Sequence, residues 1–233
     1  MAKGWDSRDN VRSKAGREKV RLKSARGRTN SSARWLQRQL NDPYVAEARR
    51  KGYRSRAAFK FEELDERYNL LKGAKRVVDL GCAPGGWCQV VVKRLGEKAE
   101  IVGIDLQEVE PIQGVTMLQM DFHALDAEER LMAELTGPVD LVMSDMANSA
   151  TGHKSTDHMK TMALCEIALD FALKVLKPGG SFVAKVLQGG SDSVLRNRMN
   201  KHFKKVRHAK PPASRKESTE WYVVAEGFRK PDA

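Results

Sequence analysis

The stretch Val77-Val78-Asp79-Leu80-Gly81-Cys82-Ala83-Pro84-Gly85-Gly86-Trp87 places an acid and several glycines at the end of a short apolar run. Glycine lets backbone approach a ligand closely, because no Cβ intervenes. The loop lacks the Gly-x-Gly-x-x-Gly spacing of a dinucleotide cradle. Position 83 is alanine, and Pro84 removes a backbone donor that a pyrophosphate would want. Asp79 would repel a phosphate, and it suits a ligand bearing an ammonium group. A second apolar run ends in Asp105-Leu106, where a carboxylate can accept hydrogen bonds from both hydroxyls of a ribose. A third ends in Asp121-Phe122, placed to contact an adenine. Ammonium, ribose and adenine without a pyrophosphate describe S-adenosylmethionine (SAM). The residues expected to hold it are Asp79, Gly81, Ala83, Pro84, Gly85, Gly86, Trp87, Asp105, Leu106, Asp121 and Phe122. Any one of these aspartates could be a helix N-cap or loop acid. Three in succession at strand ends point to one ligand.

Lys185 lies in Phe182-Val183-Ala184-Lys185-Val186-Leu187, a run apolar enough for a central strand covered on both faces. An unpaired buried ammonium costs several kcal/mol, so it neutralises, finds a carboxylate or snorkels to water. Asp145, in Val142-Met143-Ser144-Asp145-Met146, ends the preceding apolar run and is the expected partner. It should face the same crevice as the SAM loop and contribute to it.

The secondary structure around these groups follows from periodicity. Short apolar runs at 76–80, 100–106, 115–120, 139–144 and 180–187 alternate with helical stretches at 86–95, 126–135 and 158–176. Lys177-Pro178-Gly179-Gly180 is a stop after the last helix. Such alternation implies an α/β fold, a doubly wound, mostly parallel sheet with helices on both faces. Upstream, a short helix is expected from Ser32, a second with Pro43 at its first position, and a third over 55–71. The tail reads as a helix near 192–203, a strand over 204–210, a Pro211-Pro212 loop and a β-prone 220–228. The last two strands should form an antiparallel hairpin, bringing the sheet to seven strands. Residues 32–233 are expected to form a single domain, preceded by a basic arm over 1–31 that is disordered without a partner.

Charge distribution supports a polyanionic partner. The net charge is +12, and residues 1–56 account for all of it, with 17 Lys/Arg against 5 Asp/Glu. A second patch, from Ser193 to Lys216, holds nine Lys/Arg and no acid. A basic arm and a basic patch on a neutral body are the footprint of nucleic acid. No apolar stretch approaches the roughly 18 residues of a membrane span, and residues 1–30 lack the apolar segment of a signal peptide. Three cysteines in a chain of 233 residues argue for a reducing compartment, so the expected location is the cytoplasm. His and Cys show no zinc-ligand spacing, so no metal is expected. Trp87 and Trp221 read better as packing than as base-stacking residues; Trp5 and Trp35, near the basic arm, are the better stacking candidates.

Five segments then converge on one family. Arg54-Ser55-Arg56-Ala57-Ala58-Phe59-Lys60, Asp79–Trp87, Met143-Ser144-Asp145-Met146-Ala147, Gly179–Val186 and Glu220-Trp221-Tyr222-Val223-Val224-Ala225 resemble the FtsJ-type ribose 2′-O-methyltransferases. The resemblance runs from about Ser32 to Arg229, and the order and spacing agree. It implies a Rossmann-like SAM-dependent methyltransferase fold and a catalytic tetrad of Lys60, Asp145, Lys185 and Glu220. It further implies methylation of a uridine ribose in large-subunit (23S) ribosomal RNA, on the assembled or assembling 50S subunit, by a monomeric enzyme. In that setting Lys185 would take up or withdraw the 2′-hydroxyl proton. To do so as a predominantly neutral amine it would need a pKa well below the free value of about 10.4. Asn148-Ser149 stands where Pro-Asn is common in the family. Transfer RNA is an alternative substrate, and a ribosome assembly factor without chemistry is an alternative class. The missing Gly-x-Gly-x-x-Gly speaks against a nicotinamide dehydrogenase.

Overall fold

Because helices cover both of its faces, the apolar runs pair as parallel strands. In the computed structural model, which describes residues 20–21, 29–148, 151–188 and 192–230, these are β1 (Arg76–Leu80), β2 (Glu100–Asp105), β3 (Thr116–Gln119), β4 (Val139–Ser144) and β5 (Leu176–Leu187). β6 (Phe203–Ala209) and β7 (Glu220–Phe228) complete a seven-stranded sheet of order β3-β2-β1-β4-β5-β7-β6. β7 is antiparallel to both neighbours and sits between β5 and β6. The terminal hairpin is therefore inserted by its second strand, which brings Glu220 and Tyr222 beside Lys185.

One face packs on α2 (Pro43–Lys51), α3 (Ala57–Tyr68) and α4 (Gly86–Leu95), with Tyr44, Phe61 and Trp87 in its core. The other packs on α5 (Ala127–Ala133), α6 (Lys154–Val175) and α7 (Asp192–His202), around Leu131, Phe171 and Met199. α1 (Asn30–Leu40) precedes α2. Asp42 caps α2 by accepting the Tyr44 N–H, Pro43 opens it, and Gly52 ends it in the left-handed conformation.

The two largest boundary differences from expectation have identifiable reasons. α6 starts at Lys154 rather than near 158, because Asp157 reaches back to accept the Thr151 N–H at 2.8 Å and ties down its first turn. β5 begins to pair at Leu176, but its ladder with β4 jumps from Val139↔Leu176 to Leu141↔Ser181. The expected stop is thus an outward bulge at Lys177–Gly180, with Gly179 at φ +85°. Most of the basic arm and the indole of Trp35 lie outside the described residues. Val20 is described, and it is tied through its backbone to the Asn41 side chain. Among the described residues no helix is long and apolar enough to cross a membrane.

Candidate active site

Strand order reverses direction between β1 and β4, and the crevice beyond their carboxyl ends is where ligands bind in sheets of this kind. The loop after β1 is pressed into that crevice. Gly81 has φ +80°, and a Cβ there would lie 2.6 Å from Met146 Cγ, so the loop after β4 seats directly on it. Gly85, at φ +102°, is the N-cap of α4, and a Cβ there would meet Ile112 Cδ1 at 2.7 Å. The Ala83–Pro84 peptide is cis. Arg54 braces this loop from α3's approach, donating to the carbonyls of Pro84 (3.2 Å), Glu110 (2.5 Å) and Pro111 (2.9 Å).

Beside the loop opens a cleft of about 340 Å³. Gly81, Ala83, Asp105, Leu106, Asp121, Phe122 and Asp145 line it, with Ile104, Met120, Met146 and Leu164 as apolar wall. Asp105 Oδ2 accepts the Ala83 N–H and Oδ1 the Gln107 N–H, each at 2.9 Å. Asp121 Oδ1 accepts the His123 N–H at 2.9 Å, and Phe122 packs edge-on against Phe171. Asp79, Pro84, Gly85, Gly86 and Trp87 are not part of the cleft wall. The Trp87 indole stacks on Phe61 and donates to the Ala57 carbonyl at 2.9 Å, so it packs α4 onto α3. The indole of Trp221 donates to Gln188 Oε1 at 3.2 Å.

Lys60, Asp145, Lys185 and Glu220 come together on the α3–α4 face of the sheet, from a helix, a loop and two strands. Lys185 Nζ lies 2.7 Å from Asp145 Oδ1 and also donates to the Asp145 carbonyl at 2.8 Å. Lys60 Nζ lies 2.6 Å from Glu220 Oε1 and 3.9 Å from Asp145 Oδ2. Both lysine side chains are 10% exposed. Burial pushes the Asp145 carboxyl up, but the Lys185 and Lys60 ammonium groups and the hydrogen bonds from Lys185 and Tyr222 outweigh it and hold Asp145 below the usual range. Burial pulls Lys185 down, yet Asp145 and Glu220 prevail and leave its pKa raised. Lys185 is therefore an ammonium at neutral pH.

Asp79 is a second electrostatic feature. It is 1% exposed, and its Oδ1 has no hydrogen-bond partner among the described residues, while Oδ2 accepts the Cys88 thiol at 3.2 Å. Burial above all, with help from the Asp145 and Asp105 carboxylates, lifts it to about 7. The Cys88 thiol is in turn pushed well above its ordinary value by its hydrogen bond with Cys82, by burial and by Asp79.

Sequence reasoning missed Tyr222, whose hydroxyl donates to Asp145 Oδ1 at 2.8 Å and lies 3.2 Å from Glu220 Oε1. The signal was present: Glu220 and Tyr222 are two apart on one strand and share a face. Burial and these two carboxylates push the Tyr222 hydroxyl well above its ordinary value. Arg54 was also missed in this bracing capacity; its carbonyl partners are 30 to 57 residues away in the chain and carry no side-chain signature.

Comparison with known proteins gives this geometry its context. The FtsJ-like methyltransferase family matches residues 53–228. A protein of Novosphingobium aromaticivorans named Ribosomal RNA large subunit methyltransferase E is 62% identical over 213 residues, 91% of this chain and 96% of the relative. One of the same name from Parvibaculum lavamentivorans is 55% identical over 221 residues, 91% of this chain and 87% of the relative. A crystal structure of a Plasmodium falciparum protein, provisionally described as a ribosomal RNA methyltransferase, superposes with a TM-score of 0.67 at 32% identity. It covers 76% of this chain and 98% of that one. The chain thus belongs to the FtsJ-like methyltransferase family.

Proposed function

We propose that this chain transfers the methyl group of SAM to the 2′-hydroxyl of a uridine ribose in large-subunit (23S) ribosomal RNA. The target is the assembled or assembling 50S subunit in the cytoplasm, and the enzyme acts as a monomer. The observation that carries the reading is the buried cluster in which Asp145 aligns Lys185 and Glu220 holds Lys60, at the lip of a cleft fit for SAM. That fit has a physical basis. The cleft wall holds the carboxylates of Asp105, Asp121 and Asp145 and, among the described residues, no lysine or arginine. Such a wall disfavours a polyphosphate and favours a cationic ligand. Asp105 would take the ribose, Asp121 and Phe122 the adenine, with Leu106 at the rim. The loop Gly81-Ala83-Pro84-Gly85-Gly86-Trp87 would shape the floor, and Asp79 lies beneath it. When bound, SAM supplies an electrophilic methyl group on a sulfonium.

The chain's own residues would orient the hydroxyl and manage its proton. Lys185, fixed by two bonds to Asp145, is the group to meet the 2′-hydroxyl. As it rests protonated, only its minor neutral form can accept the proton, so Lys60 has a purpose as a neighbouring cation that opposes the carboxylates. General-base help of this sort is typically worth about 10²–10⁴-fold, and positioning contributes further. The basic arm and the Arg196–Lys216 patch would bind RNA phosphates.

The test is tritium transfer from labelled SAM to undermethylated large subunits, their purified RNA and bulk transfer RNA, with wild type and Lys185→Ala. Label on large subunits that disappears in Lys185→Ala is the expected result. Label on transfer RNA alone would replace the substrate. Bound SAM with no label anywhere would favour an assembly factor.

A further inference from the structure

We propose that Ser214 is a positioning residue for methyl transfer, acting through Glu220, and that the loop between β6 and β7 exists to hold it there. The inference rests on the reading of the lysine–carboxylate cluster given above. Loops ordinarily lie on the surface, yet at the centre of this one Ala213 is fully buried and Ser214 is 3% exposed. The loop is pinned from outside the cleft. Glu63 Oε2 of α3 accepts the Ala213 N–H at 2.7 Å, and its other oxygen accepts the Tyr44 hydroxyl at 2.9 Å. Arg56 donates to the Ala213 carbonyl. Asp42 Oδ2 lies 3.0 Å from Arg56 Nε and 3.4 Å from Arg215. Within the loop, Lys210 Nζ donates to the Ser218 carbonyl at 2.6 Å, and the Ser214 N–H to the Pro211 carbonyl at 2.8 Å.

All this anchoring delivers one hydroxyl to one atom. Ser214 Oγ donates to Glu220 Oε1 at 3.2 Å, the same oxygen that meets Lys60 Nζ at 2.6 Å. Lys60 has two carboxylates within reach, and it sits on Glu220 rather than on Asp145, 3.9 Å away. Asp145 is thereby left to Lys185 and Tyr222. Without the Ser214 bond, Glu220 Oε1 still meets the Tyr222 hydroxyl at 3.2 Å, and the carboxylate shifts toward Tyr222 and away from Lys60. The Lys60 ammonium then moves toward Asp145 and competes with Lys185 for it. Ser214 thus divides the two lysines between the two acids.

Single-turnover methylation of large subunits is compared in wild type, Ser214→Ala, Ser214→Thr, Glu220→Ala and the Ser214→Ala/Glu220→Ala double variant. The expected loss in Ser214→Ala is about tenfold in rate, with SAM affinity by calorimetry and thermal midpoint little changed. Ser214→Thr recovers most of it. In the Glu220→Ala background Ser214→Ala costs nothing further, a non-additivity that a merely structural serine would not show. In a crystal structure of Ser214→Ala the Lys60–Asp145 separation shortens from 3.9 Å. Equal losses in both backgrounds, or a Ser214→Ala rate like that of wild type, overturn the proposal. Should Ser214→Ala not fold, Glu63→Gln loosens the loop instead and must show the same dependence on Glu220. A wild type that methylates no RNA overturns the proposed function, and this inference with it; the other failures leave that function standing.

Discussion

Asp79 offers the sharpest quantitative test of the electrostatics. Its carboxyl is buried in the central strand β1, one oxygen has no hydrogen-bond partner among the described residues, and burial pushes its pKa up from 3.8 to about 7. The folded state therefore holds a proton that the unfolded chain has released between about pH 4 and 7. The sign follows directly. With more protons bound to the folded form, stability falls as pH rises through that window, by about 1.4 kcal/mol per pH unit. Below pH 4 both states are protonated and nothing is lost. Above 7 both are ionised and the whole penalty, about 4 kcal/mol, persists. Asp79→Asn replaces the protonated carboxyl with a neutral amide of the same shape and removes the titration. Urea unfolding of both proteins at pH 5 and pH 8 isolates the effect, since groups not coupled to Asp79 cancel in the difference. The stability of Asp79→Asn relative to wild type should rise by about 3 kcal/mol between the two pH values, the two units from 5 to 7 supplying it. A pH-independent difference would refute the argument, because it would place the Asp79 pKa near its unfolded value despite full burial.

Three further outcomes follow from the site. Because Lys185 rests protonated with a raised pKa, the single-turnover methylation rate should climb nearly tenfold per unit from pH 7 to 9; a plateau already at pH 7 would mean that Lys185 is neutral there. Gly81→Ala must place a Cβ 2.6 Å from Met146 Cγ and 2.9 Å from its Cα while holding φ +80°. It should destabilise the fold by about 1–3 kcal/mol, read by thermal unfolding, and abolish SAM binding, read by calorimetry. Deleting residues 1–31 should weaken RNA affinity and flatten its dependence on salt concentration, since every phosphate the arm neutralises frees about one counterion on binding. Unchanged affinity at 50 and 200 mM salt, values chosen to span roughly the range over which such ion pairs matter, would remove the arm from RNA binding.

Local pattern went a long way here. The strands β1 and β4 begin and end where apolar runs and the following Gly or Asp say they must, since a buried parallel strand tolerates little else. The acids that close the runs, Asp105, Asp121 and Asp145, all reach one cleft because parallel strands present their carboxyl ends to the same side. Even Lys185 was conspicuous, as a charge inside an apolar strand needs a partner. What the linear chain left open is whatever depends on which side chains meet across the sheet. That β7 rather than β6 pairs with β5 decides that Glu220 and Tyr222 flank Lys185. That Lys60 sits on Glu220 and Lys185 on Asp145 decides the direction in which Lys185 is shifted, a balance between burial and two carboxylates at distances of a few ångströms. From its sequence context Trp87 is expected both to touch SAM and to pack against the sheet, and only its indole stacked on Phe61 shows the packing. Ser214, in a loop of lysines and prolines, acquires its place through anchors such as Glu63, which holds its neighbour Ala213 at 2.7 Å across 150 residues of chain. Periodicity and residue chemistry report what a segment must bury or expose, whereas pKa shifts and shared hydrogen bonds depend on distances that only the packed fold sets.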